Sequence, residues 1–150
     1  MNSNDTLCNV ERAGSNANLN MFSSSRESAI DRSVLTRLNA LVSRDSDEPF
    51  AVRAARIYLK SSAKLVANMK AGLTAQDAKA VCFAVHTLKS SSNSLGARTL
   101  GQRAADLEIL THRGTLDGAA EQVDEITREY HSACDELNQF IDESMQDVVP

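Results

Sequence analysis

The 150-residue sequence has little of what β-rich and disulfide-bonded proteins require. It contains no Trp, 4% aromatic residues, two prolines and six glycines. So few aromatic side chains and so few helix breakers disfavour a sandwich or a barrel and favour helices. The three cysteines, Cys8, Cys82 and Cys134, form no CxxC pair. The sequence therefore predicts neither a disulfide framework nor a zinc site, and it fits a reducing cytoplasm.

Long apolar segments and an excess of positive charge are also missing. The longest apolar run, Ala80 to Val85, is far shorter than the roughly 20 residues of a membrane span. No basic start followed by an apolar core indicates a secretory signal. The net charge is −4, whereas binding to nucleic-acid phosphates relies on an excess of Lys and Arg. We therefore expect a protein that binds neither membranes nor nucleic acid, and we expect it to be a monomer.

The apolar residues divide the chain into two parts. Residues 1–26 are rich in Asn and Ser and show no apolar period, which predicts a flexible polar tail. Residues 27–146 carry apolar residues at helical spacing and form the predicted domain. The fold class expected is all-α, an up-and-down antiparallel four-helix bundle with an additional short N-terminal helix.

Apolar stripes and capping residues define five helices. The first carries Ile30, Val34, Leu38, Leu41 and Val42. The second starts at Pro49, with Ser46 or Asp47 as its cap, and is expected to break at Gly72. The third is capped by a Thr74-x-x-Asp77 signature and stops at Gly96. The fourth ends near Gly114, and the last is capped by Asp117.

The third helix carries the most informative side chain, His86. At 100° per residue, Val81, Val85, Leu88, Ser92 and Leu95 share one line, which is the core face. His86 lies roughly 140° from that line, so it is predicted to face solvent. Most exposed histidines have no function, and the neighbours of this one are what single it out. On the same face lie Cys82, Phe83, Lys89, Ser90 and Asn93.

These neighbours favour a phosphoryl carrier. Neutral imidazole is a nucleophile, and the ammonium of Lys89, one turn on, would attract a phosphoryl group on Nε2. Four serines in five residues weaken a helix, but their small side chains leave space for another protein to approach the imidazole. We expect no carboxylate at catalytic spacing from His86. The six glycines form no phosphate-binding loop, so the chain should not take a phosphoryl group from ATP by itself.

The segment from His86-Thr87-Leu88-Lys89-Ser90-Ser91-Ser92 to Leu95-Gly96-Ala97 resembles the signature of histidine-containing phosphotransfer (HPt) domains of bacterial two-component phosphorelays, approximately H-x-L-K-G-S-[SA]-x-x-[LVI]-G-A. The resemblance extends over about residues 28 to 143. It includes an Ile30-Asp31 pair in the first helix and Leu107-Glu108 in the fourth, similar to an L-E pair of the family.

The resemblance implies a function and its partners. His86 would accept a phosphoryl group on Nε2 from the aspartyl phosphate of a receiver domain, in a hybrid sensor kinase, and pass it to a second receiver, in a response regulator. Lys89 would assist, and Cys82, Phe83, Ser90 and Asn93 would form the docking face. The chain would need no cofactor or metal of its own, since Mg²⁺ and the acidic pocket belong to the receiver, and it would have no autonomous kinase activity.

Three points stay open in the sequence. The family usually has Gly four residues after the histidine, where this sequence has Ser90, a small residue that still leaves space for a receiver. The alternative function is a non-catalytic helical adaptor that binds a receiver or another signalling partner through the same face. The chain could be a free-standing protein or a domain excised from a larger sensor kinase.

Overall fold

The computed structural model describes residues 28–41 and 47–146, and most of these residues are helical. The five helices are α1 (Arg32–Leu41), α2 (Phe50–Thr74), α3 (Ala78–Ser94), α4 (Arg98–His112) and α5 (Ala119–Gln146). The predicted tail, with Cys8, lies outside the described residues, as do Val42 and the candidate cap Ser46. None of the described helices combines the length and the apolar content that a membrane crossing requires.

The four long helices form the predicted up-and-down bundle. Each of α2, α3 and α4 packs against the next helix, and α5 returns to α2, which closes the ring. The short helix α1 packs on α2. The predicted core line of α3 is buried along its whole length, from Val81 to Leu95. The all-α bundle with an additional short N-terminal helix is therefore confirmed.

The turn that ends α3 holds the N-terminal segment in place. Gly96 has a φ of 87°, a left-handed conformation that side chains disfavour. A Cβ there would lie 2.7 Å from the carbonyl oxygen of Asp31. The carbonyl of Gly96 also accepts a hydrogen bond from the backbone N–H of Asp31, at 2.9 Å. The end of the histidine-bearing helix and the start of α1 are thus joined at one glycine.

The carboxylate of Glu136 on α5 fixes the same segment from the other side. It accepts hydrogen bonds from the Ser28 hydroxyl and from the backbone N–H groups of Ala29, at 2.7 Å, and Ile30, at 3.1 Å. Burial alone would raise the pKa of Glu136, but these hydrogen bonds and the charge of Arg32 outweigh it and lower the pKa. Glu136 therefore stays ionised, and its hydrogen bonds hold residues 28–30 against the bundle.

Two expected helix boundaries are wrong, and so is the expected cap Asp47. The second helix does not break at Gly72 but continues to Thr74, and the glycine is needed because a Cβ would lie 2.9 Å from the side chain of Val81. Asp77 is itself the N-cap of α3, accepting from the N–H of Ala80 at 3.1 Å, so Thr74 has no part in that cap. At the start of α2 the side chain of Asn39, rather than Asp47, accepts from the N–H of Ala51, at 2.7 Å.

The apolar stripe predicted for the first helix is also out of phase. Leu35, which the stripe omitted, is fully buried, whereas Leu41 is 80% exposed. Ile30 is buried as expected, but it precedes the helix, which begins at Arg32. Because the chain bends before Arg32 and is not helical there, counting helical turns from Ile30 shifts every later position.

Candidate functional site

His86 lies on the outer surface of α3, where the helical phase predicts it. Its side chain is 62% exposed. Leu88 and Val85 on the same helix are completely buried. The imidazole is thus carried on a rigid, well-packed helix while its ring remains accessible to another molecule.

A carboxylate from the neighbouring helix contacts the imidazole, contrary to the expectation that none would lie near it. Oε2 of Glu108 on α4 lies 2.5 Å from Nδ1 of His86. Oε1 of the same carboxylate accepts a hydrogen bond from Nζ of Lys89 at 2.6 Å. Periodicity within α3 could not indicate this partner, since it lies 22 residues further along the chain. The Leu107-Glu108 pair was the available signal.

The charge on Glu108 determines which nitrogen of His86 carries the proton. The hydrogen bond from Lys89, and then that from His86, lower the pKa of Glu108, so the carboxylate is ionised near neutral pH. An ionised carboxylate can only accept a hydrogen bond. Nδ1 of His86 must therefore be the donor, and in the neutral ring Nε2 keeps its lone pair. The geometry gives a nucleophilic nitrogen on the side of the ring away from Glu108.

Lys89 reaches the same carboxylate from one turn along α3. Its side chain is 31% exposed, which is half as much as that of His86. The ammonium and the imidazole therefore converge on one acidic group. A cation held there can offset negative charge that arrives at the imidazole.

The hydroxyl groups of the serines that follow His86 are hydrogen-bonded to backbone carbonyls of their own helix. Ser90 donates to the carbonyl of His86 at 3.4 Å, Ser91 to that of Thr87 at 3.0 Å, and Ser94 to that of Ser90 at 3.0 Å. Such bonds to the preceding turn allow serine within a helix. The side chains beside the imidazole are consequently small and offer few free hydrogen-bond donors.

Ser92 points the other way, into the bundle. It is completely buried, and its hydroxyl is hydrogen-bonded to that of Tyr58 on α2 at 2.8 Å. A parallel contact joins Ser62 of α2 to the hydroxyl of Tyr130 on α5, at 3.2 Å. These buried hydrogen bonds help to fix the register of α2 against α3 and α5, because a buried hydroxyl that loses a partner is destabilising.

The four predicted docking residues fall into two groups. Phe83, 77% exposed, and Ser90 lie on the open surface around His86. Cys82 is half-buried, with Sγ 4.0 Å from the backbone oxygen of Glu108. Asn93 lies over Gly101 of α4, where a Cβ would be 2.1 Å from its Oδ1. Cys82 and Asn93 therefore also line the junction of α3 and α4.

Metal ligands are not clustered in the described part of the chain. No group of three His, Cys, Asp or Glu side chains among residues 28–41 and 47–146 is arranged to hold an ion. The site consists of one imidazole, one ammonium and one carboxylate. That set of groups can accept and hold a phosphoryl group.

Comparisons with known proteins agree with the fold. Residues 53–147 match the Hpt domain family. The fold is similar to the crystal structure of histidine-containing phosphotransfer protein B (HptB) from Pseudomonas aeruginosa PAO1, with a TM-score of 0.70 and 22% sequence identity. That similarity covers 79% of this chain and 98% of the other. No curated protein sequence matches the chain.

Proposed function

Because the chain belongs to the Hpt domain family, we propose that His86 accepts a phosphoryl group from the aspartyl phosphate of one receiver domain and passes it to a second. The observation that carries this proposal is the bond between Nδ1 of His86 and Glu108, with Nε2 left free on an exposed ring. The partners would be a hybrid sensor kinase and a response regulator, met in the cytoplasm by a monomer of this chain.

The chemical step needs only the groups present and the partner's aspartate. Nε2 of His86 attacks phosphorus, an N–P bond forms, and the P–O bond to the aspartate breaks. The aspartate leaves as a carboxylate, and Nδ1 keeps its hydrogen. Transfer to the second receiver reverses these steps, with a new carboxylate as the attacking group. Mg²⁺ would be held by the receiver.

Glu108 and Lys89 have different parts in this step. Attack by Nε2 makes the ring positive, and the ionised carboxylate of Glu108 faces the nitrogen that shares this charge. Glu108 is thus a positioning residue that also fixes the proton on Nδ1. The ammonium of Lys89 is attracted to the phosphoryl oxygens once they arrive, since opposite charges in a partly buried site interact strongly.

The test is the transfer of a labelled phosphoryl group from a phosphorylated receiver to this chain. Each receiver of the source organism is labelled, mixed with the parent chain, and followed over time. His86→Gln should lose all label, whereas His112→Gln and His131→Gln, which change the two other exposed histidines, should label like the parent. Receiver binding by the parent without any label on His86 would favour the non-catalytic adaptor and contradict phosphotransfer.

A further inference from the structure

Charge is strongly separated between the helices. α2 and α3 together contain seven Lys and Arg residues and no Asp or Glu. α5 contains eight Asp and Glu residues and one Arg. The net charge of −4 conceals this separation. The molecule therefore has two basic helices, one of which carries His86, and an acidic helix, α5, that lies across the ring of helices from α3.

Two lysines of α2 lie level, along the helix axis, with the turn of α3 that carries His86. Tyr58 of α2 bonds Ser92 of α3, and Gly72 touches Val81, so α2 and α3 are antiparallel. Midway between these contacts, the turn of α2 that contains Lys64 is level with His86. Lys60 lies one turn before it, level with the serines that follow the histidine.

The same lysines are exposed and face outward from α2. Ile57 lines the groove between these helices and is 62% exposed. Lys64 follows two turns later, about 20° round the helix from Ile57, and Lys60 lies about 60° from it. Both lysines are exposed, and neither forms an ion pair with residues 28–41 or 47–146. We call Ile57, Lys60 and Lys64 the basic edge.

We propose that the basic edge is the electrostatic docking element for the protein that carries the aspartyl phosphate. This inference rests on the proposed function. A phosphoryl group carries nearly two negative charges near neutral pH, and the acceptor presents an ionised carboxylate, so both partners approach His86 with an anionic surface. Lys60 and Lys64 attract that surface before contact, and the acidic α5 repels it, so the partner reaches the face of His86 in the productive orientation.

The matched variants are Lys64→Glu and Lys70→Glu. Both residues are exposed on α2, and both substitutions change the net charge by the same amount. Lys70 lies about 120° round the helix and about 9 Å along it from Lys64, so it is away from the basic edge. A purely global charge effect would alter both variants equally, whereas docking at the basic edge affects only Lys64→Glu.

The measured quantity is the second-order rate constant for transfer from a labelled receiver, at about 0.02 M and 0.5 M salt. At low salt we expect Lys64→Glu to be about tenfold slower than the parent, and Lys60→Glu/Lys64→Glu slower still, with Lys70→Glu within about twofold. At high salt these differences should nearly vanish. The first-order rate within the saturated complex should stay within about twofold of the parent, because the basic edge acts on encounter.

Several outcomes overturn the inference. Equal rates for Lys64→Glu and Lys70→Glu, or a Lys64→Glu defect that salt does not reduce, would contradict it while leaving phosphotransfer by His86 intact. Binding of a labelled DNA duplex that Lys64→Glu abolishes, with unchanged transfer, would assign the edge to nucleic acid instead. If the parent chain takes no label from any receiver, the proposed function and this inference fail together.

Discussion

Replacement of Glu108 shows whether this carboxylate positions the imidazole of His86 for transfer or mainly stabilises the fold. Glu108→Ala removes the bond to Nδ1 of His86, at 2.5 Å, and the bond to Lys89, at 2.6 Å. The ring can then rotate, its proton can move to Nε2, and the charge that develops during attack has no counter-ion. The pair of Lys89 and Glu108 is too near the surface to stabilise the fold by more than about 1 kcal/mol.

The expected loss of rate follows from the strength of one charge-assisted hydrogen bond. Such bonds contribute about 1.5 to 3 kcal/mol, and the 62% exposure of His86 favours the lower end or somewhat less. A loss of about 1 to 2 kcal/mol in the transition state slows transfer about five- to thirty-fold. Glu108→Gln keeps an acceptor for Nδ1–H but loses the charge, so its rate should lie between those of Glu108→Ala and the parent.

The assay is a time course of label moving from receiver to chain at several receiver concentrations, alongside urea unfolding of each variant. We expect the maximal rate to fall and the receiver concentration at half-maximal rate to stay nearly constant, because Glu108 acts on the bound imidazole. Transfer by Glu108→Ala at the parental rate would refute the role of Glu108. An unfolding free energy lowered by several kcal/mol would show that the carboxylate is mainly structural.

Three further predictions concern the core, the approach to His86 and the N-terminal segment. Leu88→Ala removes a fully buried side chain and should cost about 2 to 5 kcal/mol in urea unfolding; a loss below about 0.5 kcal/mol would contradict the packing of α3. Ser90→Gln should leave stability nearly unchanged but strongly impair transfer, whereas Ser90→Gly should be a few tenths of a kcal/mol less stable and at least as fast; parental transfer by Ser90→Gln would refute the close-approach argument. Glu136→Gln should cost about 1 kcal/mol at pH 7. Because the pKa of Glu136 is lowered from 4.5 on folding, its contribution to stability is complete above that value and is lost as the pH falls through the folded pKa, so parent and variant should converge in acid.

The sequence predicts the bundle and the exposure of His86 because both depend on local periodicity. The line from Val81 to Leu95 fixes the phase of α3, and Gly96 marks its end. The sequence predicts less well where distant segments meet. Gly72 looks like a helix breaker until Val81 is seen to pack against it.

The site shows the same division. Lys89 can be linked to His86 by counting turns, since both lie on α3. Glu108 cannot be linked in this way, because its position relative to His86 depends on how α4 packs against α3. Distances between helices are set by packing, so a carboxylate on another helix is found only in three dimensions or through a resemblance.

The self-satisfied serines of α3 have a consequence for how tightly a partner is held. Ser90, Ser91 and Ser94 already donate to the preceding turn, so an approaching surface gains little by hydrogen bonding to them. Under the proposed function, the chain has to release the first receiver before it binds the second. A surface with few free hydrogen-bond donors can bind different receivers and should bind each of them only for a short time. The residence time of a receiver should then depend mainly on the imidazole and on the phosphoryl group that it carries.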